Sequence, residues 1–215
     1  MTEAQSSCQL YAVVEAGEAA PERLQAALAA ADVASVLIMP AAGRTLDAAT
    51  AKPLIELARK ADSATLIGGD AGLARTLQAD GVHLGGVKDV AVAYGEARAI
   101  VGQRGVVGAE AGISRHDAMT LAEAGADYVA FGAPPHLKDR DKARARREEL
   151  IAWWAEIFEV PCVAFDVETA AEAEALAWAG ADFIAVTLPA GQSPAAARDL
   201  IAGIAAAIRV SETAS

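Results

Sequence analysis

A histidine and two glycines stand together in the segment "GVHLGG", which covers residues 81–86. A neutral imidazole at the end of a strand can donate a hydrogen bond to a heteroaromatic ring or move a proton. Gly85 and Gly86 have no side chain to block a ligand that approaches the backbone. The alternative for His83 is a core histidine held by a backbone carbonyl. The residue types leave both interpretations open, and we take His83 as the candidate catalytic residue.

Four carboxylates follow other short apolar runs, at Asp70, Asp89, Glu110 and Asp166. If the ends of these runs meet, Asp70 and Asp89 can hold a hard cation such as Mg2+, which prefers oxygen ligands. An aspartate directly after a strand is also a common helix N-cap, in which the carboxylate accepts a backbone N–H. Both interpretations of this pair stay open. Glu110 and Asp166 are candidates for contact with a bound ligand.

A basic segment, "KDRDKARARR", stands out in a chain of net charge −11. With the residues before it, this segment predicts a polar loop over 136–147. His136 and Lys138 in that loop can contact an anionic ligand. The loop can equally be a solvated surface segment, because Asp139 and Asp141 interleave with the cations.

The elements that must position these residues alternate regularly along the chain. Short apolar runs are followed by alanine- and leucine-rich segments of helical periodicity, in eight strand-then-helix units. Continuous apolar runs are typical of strands that are buried on both faces. The α/β pattern therefore predicts a single (β/α)8 TIM barrel domain over 1–215, with a frayed tail at 211–215. The predicted strands are 10–16, 33–41, 63–69, 81–86, 105–111, 127–133, 161–167 and 182–188.

A doubly wound sheet is the alternative fold. Such a sheet usually has fewer strands, and it often carries a Gly-x-Gly-x-x-Gly turn after the first strand, which this sequence lacks. In the barrel, chemistry comes from the C-terminal ends of the strands and the loops that follow them. The candidate ligand-binding residues at this mouth are Gly85, Gly86, Glu110, Gly132, His136, Lys138, Asp166 and Thr187.

Three similar segments, "ADGVH", "GADYV" and "GADFI", mark the opposite end of the predicted barrel. Each ends a helix and enters a strand. Glycine there relieves the left-handed conformation of a helix C-terminus, and the aspartate bonds backbone groups in the turn. We therefore expect Asp80, Asp127 and Asp182 to have structural roles.

Composition and charge narrow the classes of function. The negative net charge argues against nucleic acid as the main partner, because phosphate backbones are bound by Lys and Arg. Cys8 and Cys162 lack the spacing of metal ligands and favour a reducing compartment. No apolar stretch is long enough to cross a membrane, and the N-terminus lacks the pattern of a signal peptide. We expect a cytoplasmic protein that binds a small molecule and no membrane.

Five segments resemble the family of thiamine phosphate synthases and related thiazole tautomerases. They are "LYAVV" at the first strand, "LARTLQADGVHLGG" through the fourth, "VVGAEAGISRHDAMTLAEAGADYVAFGAP" through the sixth, "VPCVAFD" at the seventh and "AGADFIAV" at the eighth. The pair "ADGVHLG" and "GADYV-x-x-G" is more specific than a generic barrel pattern. The similarity extends from about Leu10 to Val210.

The resemblance implies a (β/α)8 fold, a homodimer and a reaction. A synthase of this family joins a hydroxymethylpyrimidine diphosphate to a thiazole phosphate. Diphosphate leaves with the help of Mg2+, and the thiazole nitrogen captures the resulting pyrimidine cation. A tautomerase needs only an acid–base group and a phosphate site. The implied ligand is a pyrimidine or a thiazole, and Mg2+ is the implied cofactor if the synthase reaction is retained.

Several positions at the mouth depart from the family pattern. After the second strand the family has Gln-x-Arg-x-Lys, whereas this chain has no cation before Arg44. The family's metal-binding aspartate after the third strand is matched by Asp70 one place later. Lys88 stands at the acidic position after the fourth strand, with Asp89 next to it. The glycine pair that holds phosphate after the seventh strand is replaced at Asp166, whose charge repels a phosphate.

Three functions are therefore consistent with the sequence. The first is a thiamine-pathway enzyme, synthase or tautomerase, with shifted metal and phosphate ligands. The second is a non-catalytic binding or regulatory paralogue that keeps the pocket. The third is a different acid–base enzyme that uses His83 with Asp166 or Glu110. One barrel fold hosts many reactions, so the fold cannot choose among them.

Overall fold

The chain closes into a barrel of eight parallel strands in sequential order, which confirms the predicted (β/α)8 fold. The computed structural model describes residues 8–133 and 138–213. The strands are β1 Gln9–Glu15, β2 Ser35–Met39, β3 Ala64–Gly68, β4 Gly81–Leu84, β5 Val106–Gly112, β6 Tyr128–Phe131, β7 Cys162–Ala164 and β8 Phe183–Leu188. The helices are α1 Ala20–Leu28, α2 Ala48–Lys60, α3 Ala71–Leu77, α4 Val90–Val101, α5 Arg115–Ala124, α6 Arg140–Ile157, α7 Ala170–Trp178 and α8 Pro194–Thr213.

Side chains alternate across each strand, and this alternation divides the core into two clusters. On β1, Ala12 and Val14 belong to the cluster that packs between the strands and the helices. Tyr11 and Val13, at the positions between them, belong to a second cluster inside the barrel. Both faces of a strand are therefore buried, which explains the continuous apolar runs in the sequence.

The strand register places His83 opposite a glycine. His83 on β4 pairs with Gly108 on β5, and Gly108 pairs with Tyr128 on β6. A Cβ atom on Gly108 would lie 2.0 Å from Cζ of Tyr128. A real Cβ cannot approach that closely, so Gly108 is the residue that allows the Tyr128 ring to enter the barrel.

The three aspartates of the repeated turns bind the backbone of the preceding strand. Asp182, before β8, accepts the backbone N–H of Cys162 at the start of β7 (2.8 Å). Asp127 accepts the N–H of Val107 on β5 (2.7 Å), and Asp80 accepts the N–H of Thr65 on β3 (2.7 Å). Each carboxylate thus satisfies an N–H at the bottom of the barrel, in line with the structural role predicted for these residues.

One part of the predicted organisation differs from the structure. Helix α6 begins at Arg140, so the predicted polar loop over 136–147 is helical from that residue. Asp139 caps this helix by accepting the backbone N–H of Lys142 (3.1 Å), and arginine itself favours helix. Helix α8 is described as far as Thr213, within the predicted tail over 211–215, and the fraying of that tail stays a prediction.

Within residues 8–133 and 138–213, no helix is both long enough and apolar enough to cross a membrane.

Candidate functional site

His83 lies inside the barrel near the end of β4, with 3% of its surface exposed. Its Nδ1 atom is hydrogen-bonded to the hydroxyl oxygen of Tyr128 at 2.8 Å. Burial lowers the pKa of His83 to about 4, because the charged imidazolium is disfavoured away from water. The ring is therefore neutral at pH 7. His83 is therefore buried in the core, as one of the two interpretations expected, but its hydrogen-bond partner is a tyrosine hydroxyl and not a backbone carbonyl.

Three further rings extend this core group. The His83 ring stacks on Phe165, with ring centroids 4.8 Å apart and an interplanar angle of 11°. It also stacks on Tyr128 at 5.8 Å and 10°. The Tyr128 hydroxyl lies 3.0 Å from the hydroxyl of Tyr11 across the barrel. We refer to His83, Tyr11, Tyr128 and Phe165 as the aromatic floor, because they lie beneath the C-terminal ends of the strands.

Glu110 on β5 lies between the ends of β4 and β6. A Cβ atom on Gly85 would lie 3.2 Å from Oε2 of Glu110 and 3.7 Å from Nε2 of His83. A Cβ atom on Gly132 would lie 3.3 Å from Oε1 of the same carboxylate. The two glycines leave room for this carboxylate at the mouth, next to the buried His83 ring of the aromatic floor.

Asp166 follows β7 and adopts a left-handed backbone conformation, with φ of 57°. Its Oδ2 atom would lie 2.7 Å from a Cβ on Gly132, so it is a neighbour of Glu110. Burial raises the pKa of Asp166, and this effect exceeds the opposing attraction of Arg147 and the hydrogen bond from the Ala133 N–H. Two carboxylates thus share one side of the mouth.

The other predicted ligand-binding residues lie around this group. Gly86 follows β4 in a left-handed conformation, with φ of 64°. Thr187 is exposed on β8, where it pairs with Val13 of β1. Lys138 is exposed just before α6, and His136 lies outside the described residues. The structure therefore brings His83, Gly85, Glu110, Gly132 and Asp166 together at the mouth.

Asp70 and Asp89 are both helix N-caps. Oδ1 of Asp70 accepts the backbone N–H of Leu73 at 2.8 Å, and Oδ1 of Asp89 accepts the N–H of Val92 at 3.1 Å. Among residues 8–133 and 138–213, no three acidic, histidine or cysteine side chains form a group that could hold a metal. Mg2+ usually takes only one or two protein carboxylates and completes its shell with phosphate oxygens and water. Asp70 and Asp89 follow the adjacent strands β3 and β4, and in number and residue type they match that donor set.

Three arginines of α6 form ion pairs with Glu168, in the loop after β7, and with Glu172, in the first turn of α7. Arg140 and Arg144 both pair with Glu168, at 2.6 Å for Arg144. Arg144 also contacts Glu172 at 3.4 Å, and Arg147 pairs with the same carboxylate. These arginines therefore contact carboxylates of the protein, and an anionic ligand at His136 and Lys138 stays a prediction.

A hollow of about 510 Å3 opens among the loops after β1, β2 and β8. Arg44, the first cation after β2, lines it together with Thr45 and Thr50. The residues of the aromatic floor do not line this hollow.

Sequence reasoning did not single out Tyr128, Phe165 or Arg147 for the site. The sequence did hold a signal for Tyr128. In the similar segments "GADYV" and "GADFI" an aromatic residue stands at the same place, and Tyr128 is two residues from Ala130, which faces the inside of the barrel. Phe165 and Arg147 are 18 residues apart and meet only through the packing of α6 on β7. No local sequence pattern predicts that contact.

Comparison with known proteins decides the family. Residues 10–189 match the sequence model described as thiamine monophosphate synthase. The chain belongs to the thiamine monophosphate synthase family. The resemblance seen in the sequence is thereby confirmed.

Relatives of this family share substantial identity with the chain. The thiamine-phosphate synthase of Rhodospirillum centenum is 37% identical over 201 residues, which cover 89% of this chain and 96% of that protein. The thiamine-phosphate synthase of Erythrobacter litoralis is 42% identical over 139 residues, and this match spans 64% of each chain, less than two thirds of that relative.

Solved structures support the same fold. A thiamine phosphate pyrophosphorylase from Pyrococcus furiosus superposes with a TM-score of 0.74 at 20% identity, over 97% of this chain and 99% of that one. A chain of Mycobacterium tuberculosis tryptophan synthase gives 0.71 at 13% identity, over 96% and 94%. These two differently named proteins share one barrel fold, so the fold alone does not assign a reaction to this chain.

Proposed function

We propose that this protein joins hydroxymethylpyrimidine diphosphate to thiazole phosphate at the mouth of its barrel. The observation that carries the proposal is the pair of carboxylates Glu110 and Asp166 beside the aromatic floor that contains His83, in a chain of the thiamine monophosphate synthase family. The group lies at the strand ends where barrel enzymes carry out chemistry.

Phe165 is half-buried whereas the other three rings are buried, so Phe165 is the member of the aromatic floor that a heteroaromatic ring can reach. His83 and Phe165 are nearly parallel, and a pyrimidine or thiazole can continue this stack towards the mouth. The Tyr128 hydroxyl fixes the orientation of the imidazole through Nδ1, so that Nε2 is the nitrogen directed towards Gly85. His83 then acts as a neutral hydrogen-bonding group rather than as an acid.

The two carboxylates suit the charge that the reaction develops. When diphosphate leaves, positive charge appears on the pyrimidine, and fixed negative charge nearby stabilises the transition state. Glu110 lies next to His83, and Asp166 lies next to Glu110. Both are therefore beside the space above the aromatic floor, where the pyrimidine cation would form.

Asp70 and Asp89 would hold Mg2+ together with oxygens of the diphosphate. Members of this family use Mg2+, which supplies charge neutralisation on the leaving diphosphate. The helix caps engage Oδ1 of each aspartate and keep both side chains oriented after β3 and β4. Lys88, between these two positions in the chain, is exposed and can contact the same phosphates.

The second candidate is binding without turnover. Asp166 stands where the family resemblance places a phosphate-holding glycine, and it puts a carboxylate against Gly132. A phosphate at that point would be repelled by Asp166 and by the neighbouring Glu110. This favours a protein that keeps a heterocycle in the mouth and does not bind its phosphate tightly.

A direct assay separates the two candidates. Purified protein is incubated with both substrates and Mg2+, and thiamine phosphate is measured by chromatography. Product formation that falls in Glu110→Gln supports the coupling reaction. Absence of product with enzyme and substrate at equal concentrations overturns it. Thermal stabilisation by either heterocycle without turnover then supports the binding protein, whereas no stabilisation by any of these compounds overturns both.

We also propose that the protein works in the cytoplasm, as the number and spacing of its cysteines favour, and that it is a homodimer, as the family resemblance implies. Light scattering at micromolar concentration tests the dimer, and a monomer mass would contradict it.

A further inference from the structure

A buried arginine lies behind the end of β7. The side chain of Arg147, on α6, is 1% exposed. Its Nη1 atom donates to the backbone carbonyls of Phe165 (2.5 Å) and Asp166 (3.0 Å), and its Nη2 atom pairs with Glu172. The Nε atom has no hydrogen-bond partner among the described residues, so Nη1 and Nη2 make the polar contacts of this buried guanidinium. Arginine is rarely buried this completely, and its planar guanidinium can bind several acceptors at once.

The two carbonyls belong to the residues that shape the mouth. The Phe165 ring stacks on His83, and the Asp166 carboxylate lies against Gly132. The backbone between them turns sharply, because Asp166 has a φ of 57°. This conformation is unfavourable for a residue other than glycine, so the surroundings must hold it in place.

We propose that Arg147 is a positioning residue that fixes the backbone of Phe165 and Asp166 and thereby sets the geometry of the aromatic floor and the acidic rim. Its importance for ligand binding rests on the proposed function. Its effect on the floor is a property of the protein without ligand.

The neighbouring ion pairs do not substitute for Arg147. Arg140 and Arg144 reach the side chains of Glu168 and Glu172, and they are more exposed than Arg147. Exposed pairs of this kind contribute little to stability. Among the hydrogen bonds of the described residues, the side-chain bonds to the Phe165 and Asp166 carbonyls come from Arg147.

The experiment compares variants that keep or remove these carbonyl contacts. Arg147→Lys keeps the positive charge but loses the planar guanidinium, whose separate nitrogens bind the two carbonyls and Glu172. The double variant Arg147→Met with Glu172→Leu replaces a buried ion pair by apolar side chains, a change that often preserves folding. Glu172→Gln keeps an acceptor for Nη2 and leaves the carbonyl contacts in place. Arg23→Met is the matched control, because Arg23 is also fully buried and binds the carbonyls of Glu15, at the end of β1, and Ala190, after β8.

The first readout is the NMR spectrum of the His83 ring protons in the protein without ligand, since Phe165 stacks directly on that ring. We expect these resonances to shift in both Arg147 variants and to stay in place in Glu172→Gln and Arg23→Met. The second readout is the dissociation constant for thiazole phosphate, which we expect to rise on the order of 10-fold in the Arg147 variants, the equivalent of about 1.4 kcal/mol of lost contact with the displaced floor.

Unchanged His83 resonances in folded Arg147→Lys and in the folded double variant would overturn the proposal, even if both proteins melt at lower temperature. Shifted resonances in a protein that binds no thiazole phosphate would support the positioning role and count against the proposed function instead. A shift of equal size in Arg23→Met would show a general loosening of the barrel and would also overturn the proposal.

Discussion

The Nδ1 atom of His83 lies 2.8 Å from the hydroxyl oxygen of Tyr128, in the interior of the barrel. The Tyr128 hydroxyl in turn contacts the hydroxyl of Tyr11 at 3.0 Å. Burial lowers the pKa of His83 to about 4 and raises the pKa of both tyrosines. All three side chains are therefore neutral at pH 7, and their hydrogen bonds hold the floor of the mouth without any buried charge.

The low pKa of His83 makes folding sensitive to acid. Between pH 6.5 and about 4, unfolded His83 binds a proton and folded His83 does not, so its contribution to stability is lost as the pH falls through this window. The full effect is about 3 kcal/mol in the free energy of unfolding. Urea unfolding from pH 7 to pH 4 measures it. The difference between wild type and His83→Gln isolates it from the carboxylates, and a pH-independent difference would contradict the lowered pKa.

Replacing Asp166 should strengthen the binding of phosphate. Asp166→Gly removes a carboxylate from the mouth and suits the left-handed backbone, where φ is 57°. We expect thiazole phosphate to bind about tenfold more tightly, which corresponds to about 1.4 kcal/mol. Isothermal titration calorimetry measures the change. Asp166→Asn removes the charge and keeps the side chain, so equal gains in both variants attribute the effect to charge, and unchanged binding in both would refute it.

A methyl group at Gly108 should disrupt the floor. In Gly108→Ala the new Cβ would meet the Tyr128 ring, which must then move away from His83. We expect a loss of about 1–3 kcal/mol in stability from overpacking, together with weaker ligand binding. Gly203→Ala, at an open position of α8, is the control and should be neutral or stabilising. Wild-type melting temperature and ligand affinity in Gly108→Ala would contradict this account of the register.

Replacing the aspartates of the repeated turns should lower the stability of the protein and leave ligand binding at the mouth unchanged. Asp182→Ala leaves the backbone N–H of Cys162 without its carboxylate acceptor, at a cost of about 1–3 kcal/mol. Asp182→Asn retains an oxygen acceptor and should lose less. Chemical denaturation measures both variants. If Asp182→Ala changed heterocycle binding while its stability stayed at the wild-type value, the structural role would be wrong.

Much of the architecture could be read from the sequence because it follows from local patterns. Apolar runs, helix periodicity and turn residues repeat in eight units, and the barrel confirms that reading. The helix caps at Asp70 and Asp89 were one of the two interpretations of these residues. They could be foreseen because each aspartate accepts a backbone N–H only three residues later, in the helix that follows it. The start of α6 was misplaced because its alternating charges resemble a solvated loop, while Asp139 and the ion pairs to Glu168 make a helix favourable.

By itself the sequence determined the barrel, the family, the bottom-end role of the repeated aspartates and the set of residues at the strand ends. Only the tertiary structure decided how these residues meet. Strand register puts Gly108 beside His83 and leaves space for Tyr128, and the packing of α6 on β7 brings Arg147 to the carbonyls of Phe165 and Asp166. Local signals depend on neighbours in the chain, whereas these contacts join residues on different strands and helices, and their geometry exists only once the barrel has closed.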